Sequence, residues 1–286
     1  MIDLLTITNL PELAARCDPM PGMRLFVDLE RNGKAERQKG FNTFISSHQI
    51  NDVGRIKAVL KQSKLMVRVN PCQIANLEAS KAEVDAVLAQ GADMLMLPMF
   101  NNALELSAFS VMVAGRVPIV PLLETVGALH TLDSWIDTPG IHEVFVGLND
   151  LHLAMGCNFM FEPLLMGHVE RVGKAAKARG LRFGFGGIAR MDEGQLPGRD
   201  VLAEHVRLGS NAVILSRTFN RIDNRSDNCR DASGGRETFE QAVAGLRTAE
   251  LKLVSRSAEQ VELDRLRTHS LIAQFAKIVR TAKTSA

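Results

Sequence analysis

Short apolar runs alternate along the chain with longer segments of helical period. Eight runs are rich in leucine, valine, isoleucine or methionine, and they lie at residues 4–10, 24–30, 64–70, 93–100, 117–124, 143–150, 181–189 and 211–219. Nearly continuous apolar strands are typical of a parallel sheet that is buried on both faces. The pattern therefore predicts eight parallel strands.

Several of the helical segments between these runs end at a glycine, the residue favoured just after a helix. Gly91, Gly115, Gly180 and Gly209 hold this position. Regular alternation of strand and helix implies right-handed crossovers and a parallel sheet. Eight such units predict a single (β/α)8 TIM barrel, with an open doubly wound sheet as the alternative.

The chain continues beyond the eighth unit. A polar, glycine-bearing loop covers residues 220–236, and helical period returns at about 237–254 and 258–282. We predict a barrel over residues 1–256 and a C-terminal helical extension over 257–286. The extension carries an apolar face, which either folds back onto the barrel or docks on a neighbouring subunit, so we expect a homo-oligomer.

Composition narrows the class of protein. The 286 residues are 46% hydrophobic and 23% charged, with a net charge of +2, no tyrosine and one tryptophan. This balance argues against nucleic-acid or membrane partners. The four cysteines are widely spaced, which indicates reduced thiols in a cytoplasmic protein, and the N-terminus does not resemble a signal peptide.

Polar residues close several of the predicted strands, where the active site of a barrel lies. They are Asp28, Glu30, Arg68, Asn70, Glu124, Asn149 and Asp150. A charge at the end of a buried strand is costly unless it is paired or binds a metal. A rim of salt bridges is one interpretation, and Asp150 as a helix N-cap is another.

A metal site is the third interpretation. Two carboxylates, Glu124 and Asp150, together with water and substrate oxygens suit octahedral Mg²⁺ or Mn²⁺. A small 2-oxo acid can chelate such a metal, which then stabilises an enolate as a Lewis acid. Arg68 is suited to hold the enolate oxygen or the carboxylate by charge-assisted hydrogen bonds.

Five segments resemble the motifs of one known family. They are residues 26–30 (FVDLE), 67–70 (VRVN), 97–100 (LPMF), 120–125 (VPLLET) and 145–156 (FVGLNDLHLAMG). The family is that of the citrate lyase β-subunit and the class II pyruvate aldolases (HpcH/HpaI type), within the phosphoenolpyruvate/pyruvate barrel superfamily. The resemblance extends over roughly residues 4–220.

The resemblance implies roles for single residues. Glu124 and Asp150 would be the metal ligands, and Arg68 would contact the substrate. Asp28 and Glu30 would orient Arg68 or the metal's water molecules, Glu30 as part of the catalytic set and Asp28 beside the substrate. The substrate's carboxylate pocket would be shaped by Gly147, Leu148 and Asn149.

One departure concerns the proton-transfer residue. Arg31 stands where the lyases have Asp and the aldolases have His in a related motif. His48, farther along the chain, is the candidate catalytic histidine, and a metal-bound water is the alternative base.

These expectations combine into a hypothesis about function. We expect a metal-dependent carbon–carbon lyase or aldolase that acts on a small 2-oxo acid through an enolate. One alternative is a lyase of citryl- or malyl-CoA thioesters. An alternative of another class is a non-catalytic barrel that binds a ligand or serves as a subunit of an assembly.

Overall fold

Eight parallel strands close into a barrel in the computed structural model, which describes residues 1–32, 47–219 and 237–284. The strands are β1 (Asp3–Ile7), β2 (Met23–Asp28), β3 (Lys64–Arg68), β4 (Met94–Leu97), β5 (Ile119–Leu123), β6 (Glu143–Val146), β7 (Arg182–Ile188) and β8 (Ala212–Leu215). They follow chain order, and β8 pairs with β1. The predicted (β/α)8 barrel is confirmed, and the open sheet is wrong because the edge strands pair with each other.

Helices cover the outside of the barrel. In chain order they are α1 (Pro11–Cys17), α2 (Ile50–Lys57), α3 (Leu77–Ala89), α4 (Ala103–Val113), α5 (Val126–His130), α6 (Leu132–Trp135), α7 (Leu148–Ala154), α8 (Glu162–Leu165), α9 (His168–Ala178), α10 (Gly198–Leu208), α11 (Phe239–Val254) and α12 (Ala258–Thr284), with a 3-10 turn at Ile74–Asn76. All eight predicted strands are present, but several end earlier than expected. The clearest case is β6, which ends at Val146 because α7 begins two residues later.

Alternate residues of each strand point into the barrel. The interior is filled by nine buried apolar residues: Leu5, Phe26, Met66, Met94, Met96, Val120, Leu122, Phe145 and Ala212. The outward positions pack against the helices in a second, larger core. The barrel is therefore solid at its centre, and polar chemistry is confined to its two ends.

The charged residues that begin or nearly begin β1, β2, β6 and β7 on their inward faces contact one another: Asp3, Arg24, Glu143 and Arg182. Arg24 donates to both carboxylate oxygens of Glu143 at 2.8 and 3.0 Å. Arg182 donates to Glu143 at 3.0 Å and to Asp3 at 2.7 Å. Two cations and two anions thus close this end of the barrel as a hydrogen-bonded network.

The last helix, α12, packs on α8 and α10. Its Arg267 forms an ion pair with the buried Asp200 of α10 at 2.7 Å, and Ile272 is fully buried. The ring of Phe275 lies 5.5 Å from that of Phe159. The helix therefore folds back onto the barrel, while the domain bounds and the homo-oligomer stay predictions.

No helix within the described ranges is long and apolar enough to cross a membrane. The predicted polar loop at residues 220–236 lies outside those ranges.

Candidate active site

Arg68 is the centre of a charged cluster at the carboxyl end of the barrel. It ends β3 and pairs in register with Asp28, which ends β2. Its Nε and Nη2 donate to the two carboxylate oxygens of Asp28 at 2.9 and 2.8 Å. Its Nη1 lies 3.4 Å from Oε2 of Glu30, and its guanidinium carbon lies 5.8 Å from the centre of the Phe26 ring. Arg68 is therefore held by two carboxylates above the apolar interior.

The neighbouring carboxylates raise the pKa of Arg68 and so keep its guanidinium charged despite burial. Burial alone would lower it, but Asp28 raises it, and the charges of Glu30 and Glu124 add to that effect. Arg68 is therefore a permanent cation in a mostly buried position.

His48 joins this cluster from a distant point of the chain. The backbone N–H of Asp28 donates to its Nδ1 at 3.1 Å, and only 6% of the residue is exposed. Because Nδ1 accepts this hydrogen bond, a neutral imidazole carries its proton on Nε2.

Glu124 follows β5 directly and is 1% exposed. Its Oε1 accepts a hydrogen bond from the backbone N–H of Met99 at 3.1 Å. Among the residues that the structure describes, no cation is close enough to form an ion pair with it. A buried carboxylate with one hydrogen bond and no ion pair is costly, and its environment therefore suits a cation ligand.

Burial raises the pKa of Glu124 well above its ordinary value. The charge of Arg68 opposes this shift, whereas the charges of Asp150 and Glu30 add to it. These interactions show that Glu124, Asp150, Glu30 and Arg68 share one electrostatic site. Three carboxyl groups and one guanidinium thus interact here, and Asp28 pairs with that guanidinium.

Asp150 reaches this site from a helix and not from a strand. We expected it to close β6, but it lies in the first turn of α7, four residues after that strand ends. It is half-buried, and its side chain makes no hydrogen bond or ion pair within the described part of the chain. The N-cap position belongs to Gly147 and carries no side-chain hydrogen bond, so the interpretation of Asp150 as an N-cap is wrong.

The three residues predicted to shape the substrate's carboxylate pocket, 147–149, lie in different surroundings. Leu148 is 1% exposed, and its Cδ1 would lie 2.8 Å from a Cβ added at Gly186, so its side chain belongs to the core and not to a pocket. Asn149 is half-buried in the first turn of α7. Gly147 has a different role: a Cβ there would lie 2.8 Å from Oε2 and 2.9 Å from Cβ of Glu124. The missing side chain makes room for the glutamate.

Two contacts that the sequence did not reveal fix the other side of Glu124. Met99 has a φ of 57°, a left-handed conformation that is strained for this residue type, and it presents its N–H to Glu124. Thr125 caps α5 through Ala128 and donates its hydroxyl to the carbonyl of Phe100 at 2.7 Å. The side chains of Glu124 and Thr125 thus both form hydrogen bonds with the backbone of the turn after β4. No sequence signal marks a left-handed methionine.

The residues fit a divalent metal at Glu124 and Asp150. Neither carboxylate forms an ion pair with a described residue, and the charge of Asp150 adds to the raised pKa of Glu124. No group of three or more His, Cys, Asp or Glu side chains in those same ranges is arranged to hold a metal. A cation here would complete its coordination with water or substrate oxygens, as Mg²⁺ commonly does.

Comparisons with known proteins place this geometry in a recognised fold. No family model and no curated protein sequence matches the chain. Among solved structures, a HpcH/HpaI aldolase/citrate lyase family protein from Burkholderia cenocepacia J2315 aligns with a TM-score of 0.59 and 16% sequence identity, over 75% of this chain and 87% of that chain. The fold is that of the HpcH/HpaI aldolases and citrate lyases.

Two further structures agree with this assignment. The HpcH/HpaI aldolase from Desulfitobacterium hafniense DCB-2 aligns with a TM-score of 0.57 and 17% identity, over 75% of this chain and 86% of that chain. RipC from Yersinia pestis aligns with a TM-score of 0.55 and 15% identity, over 91% of this chain and 98% of that chain. The resemblance noted in the sequence is therefore confirmed at the level of the fold.

Proposed function

We propose that the protein is a carbon–carbon lyase of the aldolase or citrate lyase type, dependent on Mg²⁺ or Mn²⁺, that acts on a small 2-oxo acid. The single observation that supports this most strongly is Glu124, a buried carboxylate without an ion pair in the described chain, next to Arg68 and Asp150. The fold shared with aldolases and citrate lyases supports the same reaction class.

The chemistry of the site follows from its charges. A divalent cation held by Glu124 and Asp150 would supply Lewis-acid polarisation of the substrate's keto group. Arg68 donates hydrogen bonds to the oxygen on which negative charge develops as the carbon–carbon bond breaks. Asp28 holds its Nε and Nη2 and Glu30 lies near its Nη1, so the guanidinium is already oriented, and the second N–H of each terminal nitrogen is assigned to the substrate.

The hydrogen bond at His48 decides whether this histidine acts as a donor or as a base. With Nδ1 accepting from Asp28, the neutral ring presents its Nε2–H as a donor to an anionic oxygen. A base at Nε2 would need the other tautomer and would lose that hydrogen bond. We therefore assign His48 the role of hydrogen-bond donor and keep a water molecule of the site as the proton acceptor.

The substrate class is tested by exchange and cleavage assays. The protein is incubated with pyruvate in ²H₂O, and loss of methyl protons is followed by NMR with Mg²⁺, with Mn²⁺ and with EDTA; oxaloacetate decarboxylation is followed in parallel. We expect both reactions with metal and neither with EDTA. Turnover of acyl-CoA thioesters without turnover of free 2-oxo acids would favour the thioester lyase. Metal-dependent thermal stabilisation without any turnover would favour a binding protein.

A further inference from the structure

The described part of the turn that follows β2, residues 28–32, has every backbone N–H engaged. The N–H groups of Asp28, Leu29 and Glu30 donate to Nδ1 of His48, the carbonyl of Arg68 and Oδ1 of Asp28, respectively. The N–H groups of Arg31 and Asn32 both donate to Oδ1 of Asn70, at 2.9 and 3.0 Å. Five consecutive amides are thus fixed by neighbouring groups. This turn carries both carboxylates that hold Arg68, so its geometry sets the geometry of that arginine.

Asn70 is itself oriented by a neighbour. Its backbone N–H and its Nδ2 donate to Oε1 of Glu83 on α3, at 3.2 and 2.8 Å. The side-chain oxygen of Asn70 is therefore left facing the turn after β2. Burial raises the pKa of Glu83, which agrees with its mostly enclosed position behind Asn70.

Arg31 connects this turn to the start of α2. Its backbone N–H is held by Asn70, and its Nη2 donates to the backbone carbonyls of His48 at 2.8 Å and of Ser47 at 3.3 Å. Gln49, the next residue, begins the capping box of α2. A single guanidinium thus bridges two points of the chain seventeen residues apart, and one of its acceptors is the backbone carbonyl of the histidine whose imidazole contacts Asp28.

We propose that Arg31 is a positioning residue that holds His48 against Asp28. Arg31 stands where the resembling family has an acid or a histidine of its own, and in this chain it supports a histidine that arrives from farther along the sequence. A guanidinium suits the role because it is planar and carries several donors, so it can contact two carbonyls while a lysine offers a point charge. The catalytic consequence rests on the proposed function, but the positioning itself does not.

Positioning is measured without substrate. The full-length protein is labelled with ¹⁵N-histidine, and the ring nitrogens of His48 are assigned by comparison with His48→Gln. Hydrogen exchange of the peptide containing Asp28 is followed by mass spectrometry. In Arg31→Met we expect at least about tenfold faster exchange there and mixed tautomers at His48. Arg31→Lys should be intermediate.

Arg16→Met is the matched control, since Arg16 is an exposed arginine of α1 paired with Glu240. It should change neither measurement. Unchanged exchange and an unchanged His48 tautomer in Arg31→Met would overturn the proposal.

The second test of the role of Arg31 measures enzyme activity. Arg31→Met should lower kcat on the order of tenfold with KM changed by less than about twofold, because the substrate contacts remain. In a His48→Gln background the same substitution should cause no further loss. An equal loss in that background would overturn the proposal, since Arg31 would then act independently of His48. Absence of turnover in the wild type would count against the proposed function alone, and the exchange and tautomer measurements would still decide the role of Arg31.

Discussion

Both ends of the barrel bury a glutamate among charged side chains, and the two glutamates behave in opposite ways. At the amino end, Glu143 is fully buried, and although burial opposes its ionisation, Arg24 and Arg182 lower its pKa. At the carboxyl end, Glu124 is equally buried, burial raises its pKa, and no cation among the described residues forms an ion pair with it. Burial is the same at both sites, and only the partners differ.

The two ends differ in how their charges are matched. The amino end matches two cations with two anions in direct hydrogen bonds. Among the described residues, Arg68 at the carboxyl end pairs with Asp28 and Glu30, whereas Glu124 and Asp150 form no ion pair. An uncompensated buried carboxylate weakens the folded state, and a bound cation relieves that cost.

The largest expected effect comes from Glu124→Gln. It removes a proposed metal ligand without changing the shape of the side chain, so kcat/KM should fall at least about 10³-fold, or roughly 4 kcal/mol. Since the ionised form is destabilised by burial, the metal-free variant should melt at a higher temperature than the metal-free wild type at pH 8. Kinetic assays and calorimetry of both proteins test this, and wild-type activity in the variant would show that Glu124 takes no part in the reaction.

Glu143→Gln tests the other end. Breaking its ion pairs leaves Arg24 short of a buried partner, which should lower the free energy of unfolding by about 3 kcal/mol at pH 7 with activity retained. The pKa of Glu143 is lowered by folding, so this stabilisation is complete above its unfolded value of about 4.3 and is lost as the pH falls through the folded value. Urea unfolding of wild type and variant at several pH values measures the difference, which should shrink in acid. A difference that grows in acid would contradict the assignment.

Metal binding should stabilise the carboxyl end alone. With Mg²⁺ or Mn²⁺ at about 100 times its Kd, the wild type should gain about 2.7 kcal/mol, visible as a rise in Tm. Asp150→Asn should reduce the shift, whereas Glu143→Gln should keep it despite its lower starting Tm. Equal shifts in wild type and Asp150→Asn would show that the metal binds elsewhere.

The smallest expected effect concerns the space around Glu124. In Gly147→Ala the new Cβ would lie within 2.9 Å of two atoms of Glu124, which should cost about 1–2 kcal/mol and weaken metal binding. Gly245→Ala is the control, because a Cβ there meets nothing within 4 Å on α11, and it should leave stability unchanged or raise it. Thermal melts with and without metal compare the two. Normal metal binding in Gly147→Ala would show that Glu124 has room to move.

The alternation of apolar runs and helical segments was enough to predict the closed barrel, because strand period and strand number are local properties of the sequence. Strand ends were less predictable. The apolar run of β6 passes into α7, whose buried Leu148 and Leu151 continue the pattern, so Asp150 was expected on a strand and lies on a helix.

The sequence also singled out Asp28, Glu30, Arg68, Glu124 and Asp150, since charges after apolar runs stand out by themselves. It did not show that Arg31 holds His48, that Gly147 leaves space for Glu124 or that a left-handed Met99 donates to the same carboxylate. Arg31 and His48 meet across the connection between β2 and α2, and the other two contacts join segments that follow separate strands at one end of the barrel. Such contacts are decided by register and packing across the closed sheet, which only the tertiary structure fixes.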